Sequence, residues 1–151
     1  MLRISKLSDY AIVILCAIAQ DRSTQGMTAR QLAEATEIAQ PTVVKLLKML
    51  KEHGVLLSTQ GRNGGYRLAR DPAQTNLAVI IEAVEGPIAL TECMSEQLDC
   101  QIHQNCHTRP HWHHINTAFR QALSVVTLRD LTQGTLPVRI SWGDGVRAPA
   151  L

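Results

Sequence analysis

Three cysteines crowd a short stretch of the chain, and their type and spacing point to metal chemistry. Six residues separate Cys93 from Cys100, and five separate Cys100 from Cys106. Thiolates bind soft ions such as zinc or the iron of iron–sulfur clusters, and close thiolates repel one another unless a cation neutralises them. These spacings are wider than the Cys-x2-Cys pair usual in zinc fingers, which favours a cluster over one tetrahedral ion. Structural zinc and a reduced loop without a ligand remain the alternatives.

The fourth cysteine and the N-terminal residues bear on the compartment. Cys16 lies in an apolar stretch, where we expect it to be a small buried hydrophobe rather than a ligand. That stretch is short and contains Asp9, so it predicts neither a signal peptide nor a membrane span. We therefore expect a cytoplasmic protein, in which reduced thiols rather than disulfides are the rule.

Composition and charge favour a helical protein with one basic end. Hydrophobic residues make up 45% of the chain and aromatic residues only 3%, so its core is built from Ala, Val, Ile and Leu, which favours packed helices. Residues 1–70 hold ten Lys/Arg and five Asp/Glu, which gives this part a net charge of +5. Residues 71–151 hold five Lys/Arg and eight Asp/Glu, which gives a net charge of −3. The basic end is suited to a polyanion such as nucleic acid, although a solvated surface can have the same bias.

Two short helices joined by a tight turn predict a helix-turn-helix. A capping-box pattern from Thr28 to Gln31 begins one helix, and residues 36–39 form the turn. Pro41 suits the first position of the next helix, which ends at Gly54 and carries an apolar face of Val43, Leu46, Leu47 and Leu50. The alternative is a helical hairpin with a solvated basic face.

The third helix would lie in the DNA major groove with its first turn nearest the bases. Four side chains are then predicted to read bases, namely Gln40, Thr42, Val43 and Lys45. Lys48 and Lys51 would face phosphate. A strand from Val55, a glycine-rich turn and a strand from Tyr66 predict a wing, whose tip places Arg62 in a narrow minor groove. We also assign Thr28, Asn63 and Gly64 to the DNA interface.

The C-terminal half carries the cysteine loop and a long apolar stripe. A fourth helix begins after Asn76 and ends at Gly86, and the loop follows it. From about His111 to Leu131, apolar residues recur at helical spacing. This apolar stripe is too long for a solitary helix exposed to water, so we expect the helix to pack across a dimer. The predicted fold is mostly α, a winged helix-turn-helix with a long C-terminal dimerisation helix. Residues 1–86 are predicted to form the DNA-binding domain and residues 87–110 the cluster-binding loop. Residues 111–133 are predicted to form the dimerisation helix and residues 134–151 a loosely ordered tail.

Five features in order along the chain carry a resemblance to a known family. They are Ser8-Asp9-Tyr10-Ala11, the end of the helix-turn-helix from Lys48 to Leu56, the wing from Gly61 to Arg70, the segment from Ile80 to Gly86 and the three cysteines. Together they resemble the IscR/NsrR/RirA-type family of iron–sulfur transcription regulators, most closely those associated with sulfur-mobilisation (SUF) cluster assembly. The resemblance implies a homodimer with two winged-helix heads and a crossing helix. It also implies a 2Fe–2S or 4Fe–4S cluster that senses iron, oxidants or nitric oxide.

Three cysteines leave a cluster one ligand short, and the resemblance offers two candidates. IscR-like members look to have a histidine three residues after the last cysteine, where this chain has Arg109. NsrR-like members look to use an aspartate near the N-terminus, donated by the partner subunit, and Asp9 matches that position. We rank Asp9 first and His107 second, because His107 is next to Cys106 and would be strained as a chelate. Asp9 also suits a helix N-terminus for electrostatic reasons alone.

The function implied is a repressor of iron–sulfur biogenesis genes that binds double-stranded operator DNA as a homodimer and has no membrane partner. One alternative is a zinc- or thiol-based redox regulator on the same scaffold. Another is an accessory protein of cluster assembly that does not bind DNA and would not need Arg62. We do not expect an enzyme, because the sequence shows no nucleophile with an orienting base, no phosphate loop and no paired carboxylates.

Overall fold

A computed structural model describes residues 3–23, 25–59, 61, 64–94 and 106–134. Helix α1 spans Lys6–Gln20 and begins at Ser5, whose hydroxyl accepts a hydrogen bond from the Ser8 backbone N–H. Such side-chain caps satisfy the N–H groups that a helix leaves free at its start. The inner face of α1 is apolar and fully or nearly fully buried, and it consists of Ala11, Ile14, Leu15 and Ile18.

The helix-turn-helix is confirmed. Helix α2 spans Ala29–Thr36 and begins with the predicted capping box between Thr28 and Gln31. Glu37 then adopts the left-handed conformation, with a φ of 57°, and ends α2 abruptly. Helix α3 spans Gln40–Glu52 with proline in its first turn, and its inner face is buried throughout by Val43, Leu46, Leu47 and Leu50.

A two-stranded antiparallel hairpin forms the predicted wing. Strand β1 spans Leu56–Ser58 and strand β2 spans Tyr66–Leu68, with Leu57 opposite Arg67. The hairpin is joined to the loop before α2, because Tyr66 and Met27 exchange backbone hydrogen bonds of 3.0 and 2.8 Å. The orientation of the wing is therefore set by the loop that precedes α2.

Three further helices complete the described part of the chain. A 3₁₀ turn at Pro72–Gln74 leads to helix α4, Leu77–Glu85, which Asn76 caps and Gly86 ends. A second 3₁₀ turn covers Glu92–Met94, helix α5 spans Arg109–Val125, and helix α6 spans Leu128–Gln133. None of the described helices is both long and apolar enough to cross a membrane. The mostly helical winged fold with a C-terminal helix agrees with the sequence prediction.

The prediction of one continuous helix over residues 111–133 is wrong. The chain leaves the helical path at Val126, whose carbonyl accepts a hydrogen bond of 2.9 Å from the Leu77 N–H, while the Leu128 N–H donates to the Thr75 carbonyl at 2.7 Å. These bonds turn α6 back onto α1, and Leu128 becomes fully buried in the main core. The core therefore joins α1–α4, the hairpin and α6, which we call the head, and α5 lies against α4 outside it.

Candidate nucleic-acid interface and metal site

The outer surface of α3 is the candidate nucleic-acid interface. Gln40 and Lys45 are exposed in the first turns of this helix and Thr42 is half-buried. Because four side chains of the inner face are buried, the helix cannot rotate about its axis, and the exposed set is fixed. Three of the four predicted base-reading side chains are thus accessible to a ligand from outside.

Val43 corrects the fourth assignment. Its side chain is 0% exposed and lies in the core with Leu46, Leu47 and Leu50, so it cannot contact a base. The reason is the helical repeat, since residues three, four and seven positions apart share one face and Val43 belongs to the apolar set. The next residue, Val44, lies on the outer side instead and is 47% exposed.

The remaining charged and polar groups near α3 are solvated or locally bonded. Lys48 forms a long ion pair of 3.9 Å with Glu52, both well exposed, which is worth little in water and leaves Lys48 available to phosphate. Lys51 is exposed in the last turn of α3. The Thr28 hydroxyl accepts from the Gln31 N–H as the cap of α2, so its first role is structural.

The wing tip is described in part. Its turn is closed by a hydrogen bond of 2.9 Å from the Gly64 N–H to the Gly61 carbonyl. Arg62 and Asn63 lie outside the described residues. Arg67, on β2, is exposed and was not predicted as a site residue. The alternation of Tyr66, Arg67 and Leu68 along a strand would have placed it on the outer face.

Two of the three loop cysteines are described. Cys93 is half-buried in the 3₁₀ turn, with its sulfur 3.1 Å from the Thr91 hydroxyl oxygen. Cys106 is half-buried just before α5, with its sulfur 3.2 Å from the Thr108 hydroxyl oxygen. Hydrogen bonds from the Thr108 hydroxyl and backbone N–H lower the pKa of the Cys106 thiol, which favours the metal-binding thiolate. Cys100 lies outside the described residues.

Both cysteine-bearing ends of the loop are attached to α5. Asn116 on that helix accepts a hydrogen bond of 2.9 Å from the Leu90 N–H and donates one of 2.8 Å to the Ile88 carbonyl. The 3₁₀ turn that holds Cys93 also contacts α5, and Cys106 lies three positions before Arg109, the first residue of that helix. Soft thiol donors held at one end of one helix fit an iron–sulfur cluster or zinc.

The fourth-ligand candidates are both exposed. Asp9 lies in the first turn of α1 and lines a surface groove with Arg3, Ile4 and Ile12. His107 directly follows Cys106. Within the described part of a single chain, no three His, Cys, Asp or Glu side chains come together as a metal site. Cys16 is half-buried against the core, and burial raises the pKa of its thiol.

Two polar contacts join the helices around the site, and the sequence reading missed both. Arg120 on α5 makes a bidentate ion pair with Glu82 on α4, with N–O distances of 2.6 and 3.0 Å. Glu85, the last residue of α4, accepts hydrogen bonds from the Ser8 hydroxyl and from the Ser5 N–H at 3.0 Å. The partners lie 38 to 80 positions apart, so no local pattern pairs them.

The chain matches a known family of transcriptional regulators over most of its length. The Rrf2 family, described as an iron-dependent transcriptional regulator, matches residues 4–134. The chain is 27% identical to the HTH-type transcriptional regulator NsrR of Bacillus subtilis, over 87% of this chain and 91% of that protein. It is 29% identical to the protein rrf2 of Nitratidesulfovibrio vulgaris, over 86% and 87% respectively.

Solved structures share the fold. The global cysteine regulator CymR of B. subtilis superposes with a TM-score of 0.68 at 27% identity, over 89% of this chain and 99% of that one. The IscR of T. potens superposes with a TM-score of 0.64 at 23% identity, over 94% of each chain. The match to the family spans most of the sequence, including α1, the helix-turn-helix, the wing and the cysteine loop. The chain therefore belongs to the Rrf2 family of transcriptional regulators.

Proposed function

We propose that the protein is a repressor of iron–sulfur cluster assembly genes whose DNA binding depends on an iron–sulfur cluster held by Cys93, Cys100 and Cys106. The observation that carries the proposal is the pair of hydrogen bonds between Asn116 and the backbone of Ile88 and Leu90, which attaches the segment before Cys93 to α5. Through this attachment the state of the thiols reaches the helix that borders the DNA-binding head. The description of the family as iron-dependent supports iron over zinc.

The ligand of the head is double-stranded operator DNA. Gln40, Thr42 and Lys45 supply donors and acceptors for base edges, and Lys48 and Lys51 supply cations for phosphate. Arg62, Asn63 and Gly64 of the wing, with Thr28 before α2, remain assigned to the DNA backbone and minor groove. Because such an operator is chromosomal, we place the protein in the cytoplasm.

The protein acts as a homodimer through α5. No residue of this helix is buried in one chain, although Trp112, Ile115 and Val125 are large apolar side chains on it. A second copy of α5 is the partner that would remove this surface from water, at about 25 cal/mol per Å² of apolar area. Asp9 of the partner subunit is our first choice for the fourth ligand of each cluster, and His107 is the second.

A bound iron–sulfur cluster would supply a centre that reacts with oxidants or nitric oxide and depends on iron supply. The protein side of the response begins with Cys93 and Cys106, which are fixed relative to one another when they hold the same group. Asn116 transmits that constraint to α5, and the Arg120–Glu82 ion pair transmits it to α4, which packs on α3. In a dimer this sets the spacing of the two α3 helices, and about 1.4 kcal/mol of coupling changes the affinity tenfold.

Anaerobic purification with visible spectroscopy and iron and sulfide analysis tests the cluster assignment. We expect a coloured protein that loses its colour in Cys93→Ser, Cys100→Ser and Cys106→Ser. Cys16→Ser is the matched control and keeps the full cluster, because its thiol packs against the core. DNA titrations with the coloured and bleached protein then measure the coupling. A loop-cysteine variant with full iron and sulfide content would overturn the ligand assignment.

A second candidate is a thiol- or zinc-based regulator on the same scaffold. The observation that favours it is the similarity to CymR, whose described role is that of a global cysteine regulator. Such a protein would be colourless as isolated. It would respond to thiol oxidants or chelators of zinc without any change in visible absorption, which separates it from the first candidate in one measurement.

A further inference from the structure

Val44 is an apolar side chain in an otherwise polar surface. It is the one large hydrophobic residue of α3 that is exposed, at 47%, whereas the buried apolar residues of this helix all lie on the opposite side. Gln40 lies one turn before it on the same side and Lys48 one turn after it, and Lys45 is adjacent. The outer side of α3 therefore presents a branched aliphatic group between hydrogen-bonding and cationic groups.

The orientation of Val44 is fixed by the core. Val43, Leu46, Leu47 and Leu50 are each 0% exposed, and rotating α3 to bury Val44 would expose this whole set to water. Single exposed apolar residues are common on protein surfaces. This one differs in its place, since it lies in the N-terminal half of the helix that enters the major groove in a helix-turn-helix protein.

The major groove offers one apolar feature that matches an aliphatic side chain. Thymine presents its C5-methyl group there, whereas guanine, cytosine and adenine present donors and acceptors of hydrogen bonds at the corresponding edges. A valine pressed against one of those polar edges would desolvate it without replacing the lost hydrogen bond, which costs free energy. Contact with a thymine methyl has no such cost.

We propose that Val44 is a specificity-determining residue that selects a thymine in each operator half-site by contact between its methyl groups and the thymine C5-methyl. The proposal rests on the proposed DNA-binding function and adds a preference that the charged residues of α3 do not provide. The contact is worth about 0.8 kcal/mol if it buries one methyl group, which corresponds to about a fourfold change in affinity per half-site.

The test begins with selection of a bound operator from a pool of random DNA duplexes by the purified full-length protein. Each thymine of the selected operator is then replaced in turn by deoxyuridine, which removes only the C5-methyl group. We expect one symmetry-related thymine position at which this replacement weakens wild-type binding about fourfold per half-site. Val44→Ala should bind the thymine operator about fourfold more weakly per half-site and should not distinguish thymine from deoxyuridine at that position.

Two controls separate this contact from other effects. Val79→Ala removes another exposed valine, which lies on α4 and is 38% exposed, and it should keep the full sensitivity to deoxyuridine. The slope of affinity against salt should be the same in Val44→Ala and wild type, because no charge is lost. Alanine is a better helix former than valine, so α3 remains intact in the variant.

Each outcome is decisive. An operator with no methyl-sensitive thymine, or one whose methyl sensitivity persists in Val44→Ala, overturns the proposal while the DNA-binding function stands. Failure to select any operator with either the cluster-loaded or the cluster-free protein overturns the DNA-binding function itself, and the role of Val44 with it.

Discussion

At the scale of single residues, the contact between Glu85 and the start of α1 shows how a surface carboxylate supports a buried polar group. Ser8 is 0% exposed, and its hydroxyl donates to Glu85, which also accepts from the Ser5 N–H. Partial burial raises the pKa of Glu85, but the hydrogen bonds from Ser8 and Ser5 outweigh it and hold the pKa below its usual value. The carboxylate also lies at the positive end of the α1 dipole.

We predict that Glu85→Ala lowers the free energy of unfolding by about 1–2 kcal/mol at pH 7, because the buried Ser8 hydroxyl loses its acceptor. Since the pKa of Glu85 is lower in the folded state, its stabilisation is present above the unfolded pKa near 4.5 and is lost as pH falls through the folded value. Urea unfolding at pH 7 and pH 3 measures both effects. Equal destabilisation at the two pH values would show that the charge contributes nothing, and Glu85→Gln, which keeps an acceptor, serves as the control.

Lys45 is predicted to act on base preference. Lys45→Ala should relax the preference at one operator position by about 1–3 kcal/mol, because its ammonium can meet a guanine edge from the first turns of α3. Lys51→Ala removes the same charge at the last turn and should weaken binding to all sequences alike, with a salt slope reduced by about one unit. Titration of matched and mutated operators over a salt series compares the two. If Lys45→Ala lowered the affinity for matched and mutated operators equally, Lys45 would contact phosphate and not a base.

Val43 and Val44 show what residue-level prediction can and cannot do. The apolar periodicity of α3 was sufficient to place Val43 on the core face, and the error lay in also assigning it to the DNA interface. The exposure of Val44 could not be predicted from its type, because valine is among the residues most often buried. The long-range pairs of Glu85 with Ser8 and of Arg120 with Glu82 are fixed only once the helices have packed.

At the scale of elements, the wing is positioned by two glycines where it crosses the loop before α2. A Cβ atom added at Gly65 would lie 2.8 Å from the Gly26 carbonyl carbon, and one at Gly26 would lie 2.6 Å from the Tyr66 oxygen. Gly26 also has a φ of +79°, which favours glycine. This close approach allows the Met27–Tyr66 hydrogen bonds that join the wing to α2.

Gly65→Ala is therefore predicted to displace the wing. The added methyl overlaps backbone atoms, which cannot move as a side chain can, so we expect a loss of about 1–3 kcal/mol in stability. DNA affinity should fall for all sequences because the wing carries Arg62, and the salt slope should flatten by about one unit. Gly134→Ala is the control for a destabilising glycine substitution away from the wing, since its φ of +68° strains an alanine and it lies at the end of α6. Unchanged DNA binding in Gly65→Ala would show that the wing does not contact DNA.

The break between α5 and α6 could not be predicted from the apolar pattern of the sequence. Ala, Leu and Val continue the apolar stripe through the break, so periodicity alone predicts one helix. The signal that a new helix begins is the capping box of Thr127 with Asp130, which is readable in the sequence and was overlooked. The hydrogen bonds of Val126 with Leu77 and of Leu128 with Thr75 are tertiary and have no local signature.

At the scale of the whole molecule, the proposed regulator requires two chains. Asp9 and the described cysteines do not form a metal site within one chain, and the apolar residues of α5 remain exposed in it. Both observations are accounted for if α5 of each copy packs on the other and α1 of one copy reaches the cysteine segment of its partner. The donor residues are a prediction that rests on residue type and spacing, whereas the dimer geometry depends on surfaces that one chain leaves unpaired.

The proposal that Asp9 of one chain binds the cluster of the other chain can be tested with two complementary variants in one dimer. Asp9→Ala alone should alter the visible spectrum of the protein without unfolding it, because the cysteines remain, and Cys106→Ser alone should lose the cluster. In a heterodimer of these two chains, a ligand donated across the dimer gives one complete site, built from the cysteines of the first chain and Asp9 of the second. We therefore expect a wild-type spectrum at half amplitude after tandem-tag purification. If Asp9 bound within its own chain, no complete site would exist, and the heterodimer would show the altered spectrum of Asp9→Ala. A wild-type spectrum in Asp9→Ala itself, with an altered one in His107→Ala, would instead assign the fourth ligand to His107.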